Sequence, residues 1–438
     1  MPARLVAHPL AWTDPAALFR GGLGDHEHAF WLDAGPHATT GYSWMGVGVP
    51  DEIGPSDVVL AADGGAGDPV PPGPFRGGWV GWSGFDAAAR AAGAPATVDD
   101  RDGPQEAWLR VRWFVTVDHA ARAMWLVAEP AELAAALALL DAPRRHDAPP
   151  PTDAGGGIAT ASARQRPGEY RALIERCRAA IRAGDAYQLC LTTRFDVAAS
   201  DPLDPVDTYL RLRAALPAHH GGIIRSGAFA LLSASPERFL EVADGMVRTR
   251  PIKGTRPRGG DSAEDAALAR ELAESVKERA ENVMIVDLMR NDLQRVCAPG
   301  TVSAERLLEV ESYSAVHQLV STVAGRLRPG TTWAQLLAAT FPAGSMTGAP
   351  KLSAMRILRG LEAGPRGLYS GCFGWVGDDG RADLAMTIRS IVLHPGGAYV
   401  GAGGGITWLS DPDAEVAEVG VKARGPLGAL GAALPPGW

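Results

Sequence analysis

Residues 233–242 read Ser-Ala-Ser-Pro-Glu-Arg-Phe-Leu-Glu-Val, and residues 247–258 read Val-Arg-Thr-Arg-Pro-Ile-Lys-Gly-Thr-Arg-Pro-Arg. The turn signal Asp244-Gly245 lies between them, and this dipeptide between two strand-forming runs is typical of a β-hairpin. We therefore predict antiparallel sheet here, with Glu237 just before the first strand and Lys253 on the neighbouring strand. Such a pairing would bring a carboxyl group and an amine close together.

Lys253 has two possible interpretations. It lies in an apolar, proline-flanked run, and a lysine removed from water can lose its proton and become a nucleophile. The simpler alternative is a solvated lysine in a basic loop, which the nearby arginines favour, namely Arg248, Arg250, Arg256 and Arg258. The residues alone leave the solvated lysine as the preferred interpretation.

Other segments predict strands and helices in mixed order. Residues 108–117 alternate in polarity, Asp118-His119 marks a turn, and residues 123–127 follow as a partner strand, which indicates a second hairpin. Apolar residues at helical spacing predict an amphipathic helix that ends at Gly184-Asp185; they are Tyr170, Leu173, Ile174, Cys177 and Ile181. Residues 187–195 then have the pattern of a strand. These segments together predict an α+β protein with much antiparallel sheet.

Two glutamate pairs lie on two predicted helices. Glu278 and Glu281 are three positions apart, and Glu415 and Glu418 repeat this spacing, with Lys422 four positions further on. Residues three or four apart share one face of a helix. Either pair alone is most simply a solvated helix face. If the two faces meet, their oxygens would suit a hard cation, of which Mg²⁺ is the first candidate.

Composition limits the classes of function. The 438 residues include 42 Lys and Arg against 50 Asp and Glu, a net charge of −8, which argues against a nucleic-acid-binding protein. A negatively charged substrate would need locally placed Lys and Arg. No segment reaches the roughly 18 apolar residues of a membrane span, and the first residues do not form a signal peptide. We therefore expect no membrane association and a cytoplasmic location.

Several common fingerprints are absent from the sequence. The glycine-rich residues 401–405 lack the dinucleotide-binding spacing, and there is no P-loop, zinc-protease or α/β-hydrolase motif. The four cysteines contain no C-x-x-C pair, so they fit neither a disulfide framework nor a zinc site. We expect Cys177 and Cys190, which lie in apolar runs, to be reduced core residues.

Ten segments of the chain, in order, carry a resemblance to a known family. They are residues 187–195, 234–239, 250–256, 277–281, 287–292, 317–322, 344–351, 385–389, 401–405 and 411–415. The stretch from Tyr170 to Arg424 resembles the chorismate-binding catalytic domain shared by the large subunits of anthranilate, aminodeoxychorismate, isochorismate and salicylate synthases. Ten ordered matches over some 250 residues are a specific signal.

The resemblance implies the fold and the domain organisation. The expected fold is α+β, with two antiparallel β-sheets packed as a sandwich and helices on the outside. We expect a mostly β N-terminal region over residues 1–141, interleaved with the catalytic part, and a chorismate-binding catalytic domain over residues 166–428. Residues 142–165, rich in proline and glycine, are the expected linker, and residues 429–438 the tail.

The resemblance also implies roles for both glutamate pairs and for a second set of residues. Glu278, Glu281, Glu415 and Glu418 match positions that hold Mg²⁺ at the substrate's ring carboxylate, a role that suits oxygen ligands. Residues expected to hold the enolpyruvyl carboxylate, through charge or free backbone N–H groups, are Arg389, Lys422, Gly403 and Gly404. Other pocket positions match Tyr369, Thr347 and His317, and His317 is expected near the leaving hydroxyl.

Two positions in the sequence imply which nucleophile the enzyme uses and which ring carbon of the substrate it attacks. Gln188 matches the site at which water-using members carry a lysine base, and a glutamine cannot serve as that base. Lys253 matches a position that is lysine in aminodeoxychorismate synthases and alanine in typical anthranilate synthases. The implied reaction is amination of chorismate at carbon 4. In it Glu237 would act as general acid for the leaving C4 hydroxyl, and Lys253 would attack carbon 2.

The same resemblance implies a partner protein for this chain and leaves other functions as alternatives. We find no glutaminase segment, which would need about 180 further residues, and therefore expect a separate glutaminase subunit to supply ammonia. The alternative enzymes are anthranilate synthase and aminodeoxyisochorismate synthase, which add ammonia at carbon 2. From another class, the chain could be a catalytically silent chorismate-binding subunit. That alternative predicts losses among the functional residues named above, and none is lost.

Overall fold

The computed structural model describes residues 5–60, 72–98, 103–141, 159–199, 202–313 and 316–438. In these ranges the strands are β1 (Val6–Leu10), β2 (Ala29–Asp33), β3 (Tyr42–Pro50), β4 (Gly78–Ser83), β5 (Glu106–Asp118), β6 (Ala123–Ala128), β7 (Ala159–Thr160), β8 (Ser162–Ala163), β9 (Gln188–Ala198), β10 (His220–Ser226), β11 (Phe229–Ser235), β12 (Arg238–Ala243), β13 (Met246–Thr249), β14 (Ile252–Pro257), β15 (Ser303–Ser312), β16 (Val316–Arg326), β17 (Gly348–Ala349), β18 (Cys372–Gly377), β19 (Ala382–Met386), β20 (Ser390–His394), β21 (Gly397–Ile406) and β22 (Ala432–Ala433). The helices are α1 (Pro15–Arg20), α2 (Phe85–Ala91), α3 (Pro130–Leu140), α4 (Pro167–Ala183), α5 (Pro205–Ala215), α6 (Ser262–Glu274), α7 (Val276–Gln294), α8 (Trp333–Thr340), α9 (Gly344–Thr347), α10 (Lys351–Glu362) and α11 (Pro412–Ala429), with a 3₁₀ turn at Leu23–Asp25.

The long strand β5 is the point at which two antiparallel sheets diverge. One edge of β5 pairs with β3 from Leu109 to Asp118. Its other edge pairs first with β4 and then with β6. The predicted hairpin over residues 108–127 is thereby confirmed as β5 and β6.

Each sheet joins strands from distant parts of the chain. The first runs β5–β3–β2–β10–β11–β20–β21–β9, and β2 pairs with β10 across almost two hundred residues of sequence. The second runs β5–β4–β18–β19–β12–β13–β16. β14 pairs with the same edge of β16 as β13, and β15 pairs with the opposite edge. The first strands of the chain are therefore structural parts of both sheets.

Alternation of side chains along the strands builds three layers of core. Phe30 and Leu32 on β2 face an aromatic core between the sheets, which also contains Phe373 and Trp375 of β18. Trp31, between them, points to the opposite face, where α4, α5 and α11 cover the first sheet. A third cluster lies under α7 and α8 on the outer face of the second sheet. The α+β sandwich with external helices is confirmed.

Local sequence signals account for the helix boundaries. In α4 the apolar stripe buries Tyr170, Ile174 and Cys177, and Gly184 ends the helix in the left-handed conformation with φ 85°. The predicted helix and the strand after it are confirmed. All four cysteines are buried and free, which confirms the expectation that Cys177 and Cys190 are reduced core residues. Most of the proposed linker, residues 142–158, lies outside the described residues. Within the described residues, no helix has the length and apolar character of a bilayer span.

The prediction that Glu237 and Lys253 lie on neighbouring strands is wrong. The hairpin is formed by β12 and β13, and β13 ends at Thr249. Pro251 has no N–H to donate to a sheet, so the strand is interrupted and resumes at Ile252 as β14. Lys253 consequently lies on β14, which pairs with β16 rather than with β12.

Candidate active site

Two helices that begin in capped turns bring the glutamate pairs to one side of the molecule. The Ser275 side chain caps α7 and the Asp411 side chain caps α11, and each helix has its glutamates in the first two turns. We call Glu278, Glu281, Glu415 and Glu418 the four-glutamate cluster. An ion pair crosses between the helices, with the Lys277 Nζ 3.5 Å from Glu415 Oε1. The sequence could predict each helix face but not their approach.

The cluster is a buried concentration of negative charge. Glu281 and Glu415 are 8% and 4% exposed, whereas about half of the Glu418 side chain is exposed. Burial, aided by the negative charges of Glu278 and Glu415, raises the pKa of Glu281 to about 7 against the opposing charges of Lys253 and Lys277. Burial also raises the pKa of Glu415, although the Ser410 hydroxyl donates a 2.7 Å hydrogen bond to that carboxylate.

The residues of the four-glutamate cluster fit a hard divalent cation. All donors are carboxylate oxygens, which such cations prefer. Glu281 Oε1 is buried and has no hydrogen-bond partner, and a buried acceptor in this condition is costly unless something pairs with it. Among the described residues, however, no three His, Cys, Asp or Glu side chains already have the spacing of a formed metal site. A metal would therefore require the carboxylates to converge.

A β-bulge directs Lys253 toward the same region. The register of β14 on β16 shifts between Ile252 and Thr255, which leaves one extra residue on β14. Gly254 has φ +80°, and a side chain there would meet Leu272 and Glu278. Lys253 is half-buried, and its charge acts on Glu237, Glu281 and Glu418.

Glu237 has the properties of an acid that remains protonated near neutral pH. The residue is 8% exposed, in the turn between β11 and β12. Burial raises the pKa of its carboxyl to about 7, and the positive charges of Lys253 and Lys422 limit the rise. A carboxyl with a pKa in this range is suited to general acid catalysis.

A basic edge of the site is suited to binding a carboxylate. Lys422 Nζ is 2.7 Å from Glu418 Oε1 and donates a 2.9 Å hydrogen bond to the Gly403 carbonyl. A side chain at Gly404 would come within 3.0 Å of Glu415 and about 4.0 Å of Lys422 Nζ, so this glycine keeps the backbone accessible. Arg389, near Glu418, has the uncommon φ of +53° and no ion pair with a described residue.

Three further predicted site residues lie on β9 or on segments next to it, namely Gln188, Thr347 and Tyr369. β17 pairs with β9 so that Ala349 lies opposite Gln188, and this holds α9 with Thr347 close to the start of β9. Gln188 is buried and its Oε1 has no hydrogen-bond partner. Thr347 is fully buried, and its hydroxyl donates to the Ala343 carbonyl at 3.2 Å. The Tyr369 ring packs over Gly401, where a Cβ atom would lie only 2.1 Å from it.

His317 differs from the other predicted site residues because both of its ring nitrogens already lie within hydrogen-bond distance of side chains of this protein. Nε2 lies 2.9 Å from Asp265 Oδ1, and Nδ1 lies 2.8 Å from the Ser312 hydroxyl. Asp265 also pairs with Arg258, and these contacts lower the pKa of its carboxyl. The ring therefore ties α6 to the sheet in this structure.

A buried ion pair that the sequence did not single out connects the segments of the site. Arg366 and Glu362 are 3% and 4% exposed and are joined by two hydrogen bonds of 2.6 and 2.9 Å. Arg366 also donates to the carbonyls of Cys190 on β9 and Met346 on α9. Glu362 accepts hydrogen bonds from the backbone and side chain of Thr192. The only sequence signal was the i, i+4 spacing of the two charges.

We predict that Arg366→Met destabilises the folded protein by about 3–5 kcal/mol, because Glu362 would keep a buried charge without its partner. The double variant Glu362→Gln/Arg366→Met should lose less stability than the single variant. Urea unfolding measures both values. Arg306→Met, which breaks the exposed pair with Glu309, is the control and should cost about 1 kcal/mol or less. Equal losses for Arg366→Met and Arg306→Met would contradict the prediction.

A cavity of about 510 Å³ lies at a different place in the fold. It lies where β2 and β3 approach β12, β18 and β19, and Asp33, Trp44, His220, Arg238 and Asp383 contribute to its lining. None of the predicted site residues lines it. The predicted site residues are grouped instead around the starts of α7 and α11.

Comparison with known proteins identifies the family of this chain. The model of the family described as chorismate binding enzyme matches residues 57–428. The aminodeoxychorismate synthase of Streptomyces pristinaespiralis is 41% identical over 381 residues, which cover 81% of this chain and 51% of that protein. The anthranilate synthase component 1 of Streptomyces coelicolor is 40% identical, over 82% of this chain and 73% of that protein.

A solved structure shares the whole architecture. The anthranilate synthase component I of Streptococcus pneumoniae superposes with a TM-score of 0.73 at 27% identity, over 98% of this chain and 93% of that one. The chain spans only about half the length of the S. pristinaespiralis relative. With the family model matched over most of its length, the chain belongs to the chorismate binding enzyme family.

Proposed function

We propose that this chain aminates chorismate at carbon 4, giving 4-amino-4-deoxychorismate, with ammonia supplied by a glutaminase partner. The observation that carries the proposal is Lys253, held at a bulge with its charge acting on Glu237 and on the four-glutamate cluster. The similarity to the S. pristinaespiralis aminodeoxychorismate synthase supports it. The product would be a precursor for p-aminobenzoate.

Substrate binding in this proposal uses the charges on either side of the cleft. Arg389, Lys422 and the backbone at Gly403 and Gly404 would bind the enolpyruvyl carboxylate, since buried cations and accessible N–H groups bind carboxylates strongly. Glu278, Glu281, Glu415 and Glu418 would hold a Mg²⁺ ion. When bound, that ion would neutralise the ring carboxylate of chorismate. Thr347 and Tyr369 would close the remaining wall of the pocket.

The chemical steps are assigned to this chain's own side chains. The protonated Glu237 carboxyl would give its proton to the C4 hydroxyl, which leaves as water. The neutral Lys253 amine would form a bond to carbon 2 while both conjugated ring double bonds shift by one carbon toward carbon 4, and its surplus proton would return to the Glu237 carboxylate. Ammonia would then bond to carbon 4 as both double bonds shift back and the carbon–nitrogen bond to Lys253 breaks. The added ammonia would lose one proton, and the departing Lys253 nitrogen would take up one, with Glu237 able to pass the proton between them. Gln188, with an unpaired Oε1, offers a hydrogen-bond acceptor but no base.

Amination at carbon 2 is the second candidate, because the S. coelicolor relative is named anthranilate synthase component 1 and is almost equally similar. The position that separates the two is residue 253. A lysine there favours attack on carbon 2 by the enzyme itself, which leaves carbon 4 for ammonia.

A product assay tests the proposed function. Purified protein is mixed with chorismate, Mg²⁺ and ammonium at mildly alkaline pH, with and without added aminodeoxychorismate lyase, and products are separated with mass detection. We expect p-aminobenzoate only when the lyase is present. Anthranilate formed without the lyase would instead establish amination at carbon 2. Isochorismate or salicylate formed without ammonium would show that water is the nucleophile, and unchanged chorismate would contradict catalysis by this chain.

A further inference from the structure

Lys277 is a cation within the four-glutamate cluster that the proposed function does not use. It lies in the first turn of α7, and its ammonium group is 3.5 Å from Glu415 Oε1 of α11. Burial lowers its pKa, but the negative charges of all four glutamates outweigh burial, so that the pKa is raised overall. One flexible side chain therefore interacts with every carboxylate that the metal would need.

The carboxylates of the cluster face separate partners rather than a common oxygen-lined point, and Glu278 Oε1 lies 3.9 Å from the Arg256 guanidinium. Glu415 points to Lys277 and to the Ser410 hydroxyl, and Glu418 points to Lys422. Glu281 Oε1 is buried with no partner, and no three acidic groups in the described residues have metal-binding spacing. A lysine neutralises buried carboxylates by charge, but it cannot occupy the ligand positions of a divalent ion.

Lys277 also has a route out of the cluster. Its side chain is 44% exposed, whereas that of Glu415 is 5% exposed. Rotation about the long, flexible lysine stem moves the ammonium group into water without moving the backbone of α7. Glu281 and Glu415 are held on buried helix faces, so the lysine is the group that can move.

We propose that Lys277 is the resident counter-cation of the four-glutamate cluster, and that a divalent cation binds there by displacing its ammonium group into solvent. The inference rests on the metal site of the proposed function. In this role Lys277 lowers the affinity of the cluster for a metal ion. Without metal, its charge reduces the mutual repulsion of the carboxylates. The exchange replaces one positive charge with two at a site of four carboxylates.

Metal binding to Lys277→Met tests the proposal, because methionine keeps most of the side-chain volume and removes the charge. Mn²⁺ is the probe: free Mn²⁺ is counted by electron paramagnetic resonance as protein is added without chorismate, and Mg²⁺ is then added as competitor. We expect Lys277→Met to bind both ions roughly tenfold more tightly than the wild type, since the competing cation is gone. Arg290→Met removes one positive charge from an exposed pair further along α7 and should leave the affinity unchanged.

Thermal unfolding supplies a second measurement. Without metal, Lys277→Met should have a lower Tm than wild type, because the buried carboxylates lose a partner. Added Mg²⁺ should raise its Tm more than that of wild type, because tighter binding stabilises the folded state more. Unchanged or weaker Mn²⁺ binding by Lys277→Met, with a normal wild-type titration, overturns the displacement. No binding by either protein overturns the metal site itself, whereas amination in the product assay would still stand.

Discussion

Lys253→Ala should abolish formation of 4-amino-4-deoxychorismate, with kcat falling by about 10⁴-fold or more, as when an enzyme loses its nucleophile. The proposed mechanism needs a bond between the Lys253 amine and carbon 2, and no described side chain could replace it from the same bulge of β14. The rate of p-aminobenzoate formation with added lyase measures the effect.

The variant Lys253→Arg separates the effect of the covalent bond to carbon 2 from the effect of the positive charge at residue 253. Arginine keeps a positive charge beside Glu237 and Glu281 but is not a nucleophile. We expect it to be as inactive as the alanine variant. Rapid quenching of wild type with chorismate, in the absence of ammonium, should give protein heavier by the mass of chorismate less water, and neither variant should show this adduct. Substantial 4-amino product from Lys253→Arg would falsify the covalent step.

The second large effect is expected for Glu237→Gln, with a loss of about 10²–10⁴-fold in kcat/KM, the range for a general acid. The wild-type rate should fall as pH rises through about 7, the pKa to which burial raises this carboxyl, because the proton it donates is then lost. Glutamine has no such proton, so this alkaline limb should disappear in the variant. Total ammonium must be adjusted at each pH to hold free ammonia constant.

The same substitution should stabilise the protein at alkaline pH. The pKa of Glu237 is about 7 in the folded state and 4.5 for the ordinary side chain. The folded state binds this proton more tightly, so its stabilising contribution is complete below pH 4.5 and is lost as pH rises through 7. Glutamine mimics the protonated form, so Glu237→Gln should gain up to about 3 kcal/mol at pH 8 and little at pH 4.5. A variant equally or less stable than wild type at pH 8, in urea unfolding, would contradict the burial argument.

Local patterns in the sequence determined individual elements of this protein. Apolar spacing and capping residues predict α4, and the alternation in residues 108–127 predicts the β5–β6 hairpin, because both depend on contacts between near neighbours. The ordered motifs also identified the family, since they match at fixed positions along the chain. The side chains named for the site came mainly from that match.

Tertiary structure alone decided how those elements meet. Glu281 and Glu415 are 134 positions apart, and only the packing of the two sheets and their helices brings α7 and α11 together. The interruption at Pro251 placed Lys253 on β14, against the predicted hairpin, because β14 continues the pairing of β13 with β16 but not its pairing with β12. Neither the Glu362–Arg366 pair nor Lys277 stood out in the sequence. A charged residue acquires such a role only through burial and through partners from distant segments, and those are properties of the folded chain.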